Sequence, residues 1–231
     1  MNRTLAAARL HAVHALVAIG VPWLVVGSSF AINLAIWAAM PADARNQGGT
    51  GGLVSMYIAV AIVFLQSVTQ LFPMAIGLSL TRRTFYLGTL VAAGLQALVY
   101  GVALTVLALA EQATSGWGVD LRFWAPGPVD VGNPALQVLV FGVPMFLAAS
   151  VGIGLGVVIK RWGPAGMWTL TIGLLLATGS AAALITWRSG WPAVGAFFTD
   201  TSMIALLLAG PAVVAAAVAA AGFWGLRRAV P

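Results

Sequence analysis

Few side chains in this sequence are suited to acid–base, nucleophilic or metal chemistry, and their spacing gathers none of them. The five acidic residues are Asp43, Glu111, Asp120, Asp130 and Asp200. They are scattered, with no close carboxylate pair for general acid–base work. His11 and His14 are three positions apart, and no further ligand for a metal lies near them. Neither has a nucleophile beside it. A membrane Ser–His arrangement needs a histidine in a later segment, and H-E-x-x-H does not occur. The sequence has no cysteine, which excludes disulfides, thiol catalysis and cysteine metal sites. Gly152, Gly154 and Gly156 read as a glycine-rich string, but no strand precedes them and no Lys follows at phosphate-binding spacing. Gly152 and Gly156 instead make a GxxxG pair, which lets two helices approach closely. What remains is uncharged. Gln66, Thr69, Gln70, Pro73 and Gly77 recur at intervals of three and four, so on a helix they form one stripe. Asn33 and Ser29 are four apart and are placed to join that surface, as are Thr169, Thr171, Thr178 and Ser180, although hydroxyls also bond back to their own helix. The stripe has two readings: hydrogen bonds that fix helix packing, or a weakly polar translocation path lined by Asn33, Gln66 and Gln70.

The elements that must carry these residues are membrane spans. Hydrophobic residues make up 61% of the 231 and charged residues 7%. A soluble domain has about 45–50% and about 25%. Long apolar stretches predict six transmembrane helices, at about 16–40, 52–80, 85–110, 134–159, 165–187 and 202–226. The fold class is an all-α membrane protein, with 1–231 as a single transmembrane domain. No ionisable residue lies deep inside a span, which argues against an ion-driven transporter or proton pump. The spans leave no room for a soluble catalytic domain.

Charge sets the expected orientation. One set of connections holds Arg3, Arg9, Arg82, Arg83, Lys160, Arg161, Arg227 and Arg228, with no acidic residue. The alternate set holds Arg45, Arg122, Arg188 and all five acidic residues. The excess of Lys and Arg predicts that the first set, with both termini, is cytoplasmic. Pairs of charges at helix ends give a nucleic-acid reading little support, and lipid contact is their second role. Trp37, Trp117, Trp124, Trp187 and Trp191 near the outer ends, with Trp162, Trp168 and Trp224 near the inner ends, make an interfacial belt. Residues 3–15 mix Arg3, Arg9, His11 and His14 with apolar positions, which predicts an interfacial amphipathic helix. The apolar run that follows is longer than the roughly 7–15 residues of a secretory signal's core.

The inner connection from Gly77 to Gly88 reads Gly-Leu-Ser-Leu-Thr-Arg-Arg-Thr-Phe-Tyr-Leu-Gly. It is short and basic, so two long helices meet at a tight corner. On its own it is a plain positive-inside turn or a docking point for a soluble partner. The stretch resembles the G-x-S-R-R-x-F-x-x-G type of sequence between the second and third spans of type-2 ABC exporter permeases. Here Leu80 and Thr81 separate the serine from the arginine pair. The resemblance implies a coupling helix that docks on a separate ATP-binding cassette ATPase subunit. Its contacts would be Ser79 or Thr81, Arg82, Arg83 and Phe85, with Lys160 and Arg161 of the other short inner loop. It implies a bacterial plasma-membrane permease working as a homo- or heterodimer with a second permease chain. This chain would hold no cofactor, and ATP and Mg would be bound by the partner ATPase. An N-terminal elbow helix and a re-entrant segment over 188–201 are further features of that family. The uncharged path points to a hydrophobic or amphipathic cargo such as a lipid, peptide or drug. Two rivals are an accessory subunit of another membrane complex and a lipid-modifying membrane enzyme, the latter using a residue among Glu111, Asp120, Asp130 and Asp200.

Overall fold

The computed structural model describes residues 4, 7, 8, 10, 15–41, 45, 50–126 and 129–226. Arg3, Arg9, His11, His14, Asp43, Arg227 and Arg228 lie outside the described residues, and so does most of the expected interfacial helix. Among the described residues six long or complete helices follow in order: α1 Ala15–Ala39, α2 Val54–Gly77, α3 Arg82–Ala113, α4 Pro134–Trp187, α5 Trp191–Asp200 and α6 Gly210–Leu226. A π turn, Gly116–Asp120, lies between α3 and α4, and a second, Ala205–Ala209, leads into α6. Five segments are long and apolar enough to cross a membrane, four of them α1 to α4 and the fifth Ala205–Leu226.

The third expected span, and the fourth and fifth together, differ from the helices formed. At about 1.5 Å per residue, the 32 residues of α3 reach about 48 Å, well beyond a hydrocarbon core of roughly 30 Å. Standing along a bilayer normal, α3 would extend past the hydrocarbon at one end. Helix α4 has 54 residues, too many for one crossing, and Gly163 breaks it with φ 63° and ψ −155°, just before Pro164. A Cβ on Gly166 would lie 3.3 Å from Val158 Cγ1. Residues eight apart on a straight helix are about 12 Å apart along its axis, so the chain bends sharply here into two limbs, 134–162 and 164–187.

The core is built from α2, α3, the first limb of α4, and α6. Phe64, Phe72, Phe85, Tyr86, Tyr100, Phe141, Met145 and Ile153 are buried together. Small residues set the spacing. A Cβ on Gly152 would collide with the Ala61 carbonyl oxygen, and one on Gly156 would sit 2.7 Å from Val68 Cβ. The GxxxG pair is thus the seam between α4 and α2. Gly101 and Gly142 do the same for α3 and α4, against the carbonyls of Val138 and Ala97. Proline is accommodated by side chains. Pro22 cannot donate to the Ala18 carbonyl, and Gln96 Nε2 donates to it instead at 3.3 Å. Tyr100 donates to the neighbouring Ile19 carbonyl at 3.0 Å, fastening α1 to α3. Tyr86 donates to the Ala219 carbonyl at 2.7 Å, fastening α6 to α3.

These contacts align the ends of the bundle. Ala7 packs on Gly88, Val157 on Gly225, and Gly156 on Val68. The described part of the N-terminal segment, the Leu78–Thr81 corner, the Gly163 bend and the end of α6 therefore share one end. Arg82, Arg83, Lys160 and Arg161 lie there. Glu111, Asp120, Arg122 and Asp130 lie at the other. The second limb of α4 is different in kind. None of residues 164–187 is buried, nor is any residue of α5.

Candidate functional site: a capped corner, an open amide stripe and an outer cavity

The corner between α2 and α3 is rigid because both helices are capped. The N–H of Ser79 donates to the Ile76 carbonyl at 2.9 Å and that of Leu80 to the Ala75 carbonyl at 3.0 Å. With Ser79 at φ 60°, this is a Schellman ending in which serine occupies the left-handed position usually given to glycine. Thr81 is the N-cap of α3, its Oγ1 accepting from the Thr84 N–H at 3.2 Å. Ser79 and Thr81 thus have structural duties at the turn. Phe85 is a core residue at 1% exposure, with its ring centroid 5.5 Å from that of Phe72. It anchors the corner from within and offers no surface to a partner. Arg83 is exposed and Arg82 half-buried, beside the exposed Gly77, Leu78 and Ser79. At the other bend, Arg161 lies over the Trp162 ring at 4.2 Å from its centroid.

The stripe on α2 faces outward. Gln66, Gln70, Pro73 and Gly77 are all exposed, and Thr69 is half-buried. Neither Gln66 nor Gln70 has a side-chain hydrogen bond among the described residues. The Thr69 hydroxyl donates to the Gln66 carbonyl at 3.0 Å and is satisfied on its own helix. Gln66 is the thirteenth of the 24 residues of α2, so it lies near mid-depth of any bilayer that α2 crosses. It closes one end of an apolar groove of about 300 Å³ between α1 and α2, lined also by Val17, Val21, Val25, Ile58 and Ile62. Asn33 does not join this surface. It is eight residues beyond Val25 on α1, about 12 Å further along the axis, and its Nδ2 donates to the Ser29 carbonyl at 2.8 Å. Thr169 and Thr178 also bond back to their own helix, to the carbonyls of Ala165 at 2.9 Å and Leu174 at 2.8 Å.

The opposite end holds a site that spacing did not reveal. Glu111, 4% exposed, sits in the last turn of α3. Its Oε2 accepts from the N–H of Phe123 at 2.8 Å and of Trp124 at 3.1 Å, and its Oε1 from Ala125 at 3.3 Å. Trp117 Nε1 donates to Oε2 at 3.3 Å. A carboxyl group so placed folds an irregular segment around itself. Phe30 packs on the result, with ring centroids 5.3 Å from each of Trp117, Phe123 and Trp124. Ser115, Gly116, Trp117, Gly118 and Asp120 all have positive φ in the turn that brings the chain back. Beside it opens a cavity of about 340 Å³, lined by Glu111, Asp120, Arg122 and Asp130 among others. Three carboxyl groups that looked scattered in sequence therefore share one cavity. They do not form a metal cage, since no three of His, Cys, Asp and Glu come together as ligands among the described residues. The Asp130 oxygens accept from Gln112 Nε2 at 2.7 Å and from the Gly132 N–H at 3.1 Å.

No family model matches the chain, and neither curated proteins nor solved structures gave a match.

Proposed function

We infer that this chain is the six-span permease subunit of an ATP-driven exporter, moving a hydrophobic or amphipathic cargo with a separate ATPase. The observation that carries this reading is the pair of unpartnered amides at mid-depth on an open face of α2. An amide left against lipid costs several kcal/mol. That face is therefore covered in the membrane by a second permease chain, with Gln66 and Gln70 lining the seam through which cargo passes. The groove between α1 and α2 is apolar enough to take an acyl chain or a greasy side chain. Counting the two limbs of α4 separately gives six crossings, with both termini on the cytoplasmic side of a bacterial plasma membrane. The capped corner supports coupling: it is stiff and basic, and it presents Arg83 and Leu78 to a soluble partner. Phe85 and the Thr81 cap would hold its shape, and the bend at Lys160 and Arg161 would be the second contact.

The absence of native cysteine makes the test direct. Single Gln66→Cys and Gln70→Cys variants in native membranes are expected to form disulfide-linked dimers on mild oxidation. A soluble ATPase is expected to co-purify with the unmodified chain and to be lost from Arg82→Glu/Arg83→Glu. Retention of an ATPase without self-cross-linking would make the second chain a different one. If neither a dimer nor an ATPase is found, the permease reading fails. Cross-linking to an unrelated membrane protein would instead establish an accessory subunit.

A further inference from the structure

The geometry points to a binding site for a zwitterionic group, an ammonium with an anionic group a few atoms away, in the cavity at the Glu111 end of the molecule. Asp120 and Arg122 flank Leu121, which is extended at φ −75° and ψ 126° and fully buried. Asp120 itself has φ 58°, so the chain leaves the π turn directly into this extended residue. Both side chains line the same cavity and are exposed. Yet neither has an ion-pair or hydrogen-bond partner among the described residues, not even the other. Opposite charges that line one cavity without pairing match a ligand that carries both signs.

The rest of the cavity fixes which sign goes where. Glu111 and Asp130 add acidic oxygens already engaged by N–H donors, so the described lining carries more carboxyl than cationic groups and suits an ammonium. Arg122 is the one basic group among the described lining residues and takes the anionic end. Leu121 and Ala125 add apolar lining. The volume, about 340 Å³, falls at the small end of ordinary ligand pockets of about 300–1,000 Å³. With α3 along the bilayer normal, the cavity lies at headgroup level or just beyond it, beside the aromatic cluster of Phe30, Trp117, Phe123 and Trp124. Two sources can supply the chemistry there: the headgroup of an ethanolamine phospholipid, or a free zwitterion such as phosphoethanolamine. This assignment does not depend on the permease reading, because it concerns binding without ATP or a partner.

The test uses the full chain in nanodiscs, reading tryptophan fluorescence and native mass spectrometry. Phosphoethanolamine is titrated into phosphatidylglycerol nanodiscs, and in a second arm phosphatidylethanolamine is incorporated into the disc. Saturable binding is expected in at least one arm. Only the first arm responding identifies a free solute, and only the second a lipid headgroup. Asp120→Asn and Arg122→Gln are each expected to weaken binding about tenfold. The exchange Asp120→Arg/Arg122→Asp is expected to recover part of it, which a merely unfolded loop would not do. An unchanged affinity in both single variants, or no saturable response of the intact chain in either arm, overturns the proposal.

Discussion

Glu111 stands in for the secondary structure that its loop lacks. Phe123, Trp124 and Ala125 have no helix or sheet to receive their N–H groups, and the carboxyl oxygens take all three. Glu111→Ala removes those acceptors at a cost of about 1–3 kcal/mol for each donor left dry. After water re-enters, a net loss of about 3 kcal/mol is expected, measurable as earlier thermal loss of the Trp117 and Trp124 fluorescence signal. Glu111→Gln is expected to be nearly as damaging, because its amide puts N–H groups against N–H groups. A neutral result for Gln would show that the loop is held by its aromatic packing instead. Ser79 allows the opposite change. A left-handed conformation costs a non-glycine residue about 1 kcal/mol, so Ser79→Gly is expected to stabilise the chain by about that amount in denaturant titration. If ATPase retention falls in the same variant, the hydroxyl is a partner contact as well as a cap. Neither role was legible in the sequence. Glu111 finds its partners 12 to 14 residues away on irregular chain, where no periodicity exists to be read. Ser79 carried no sign of its φ.

Periodicity does report which residues share a face of a helix, and at the scale of elements the apolar runs located α1 and α2 to within a few residues, while two expected spans fall within the single helix α4. The GxxxG spacing also marked a close helix approach, without naming α2 as the partner. It could not report what a face meets. The glutamine stripe was legible as a stripe, but its outward orientation depends on which neighbours α2 takes, a tertiary property. Likewise the length of α3 could not be read from hydropathy, because its last turn carries the polar Glu111 and Gln112. The glycines give a paired test of seam against open face. Gly152→Val is expected to abolish folded protein or cost more than about 3 kcal/mol, since it drives a side chain into the Ala61 backbone. Gly173→Val, where a Cβ meets nothing within 4 Å, is expected to change the unfolding midpoint of the monomer little. Size-exclusion chromatography with thermal melts distinguishes the two, and equal tolerance would mean that the α2–α4 approach is looser than described.

At the scale of the whole molecule, charge divides the two ends. Arg82, Arg83, Lys160 and Arg161 stand at one, and the acidic cavity at the other. Sequence reading put these residues in alternate connections, and packing contacts now align each set at one end. Single cysteines are expected to label accordingly with a membrane-impermeant maleimide: Ser115→Cys from outside intact cells, and Arg83→Cys only after the membrane is opened. The reverse pattern would invert the proposed orientation. The unburied limb 164–187 has a consequence for biosynthesis. It shares no buried residue with the body, so under the proposed six-crossing arrangement it is expected to enter the bilayer on its own hydrophobicity, before the rest folds. Helix α6, by contrast, docks through Tyr86, Gly154, Val157 and Gly222. The limb is a leash that delivers α6 to its seat. A chain severed at the Ser189–Gly190 turn and made as two pieces is therefore expected to reassemble and co-purify, and the later piece is expected to be degraded when it is made alone.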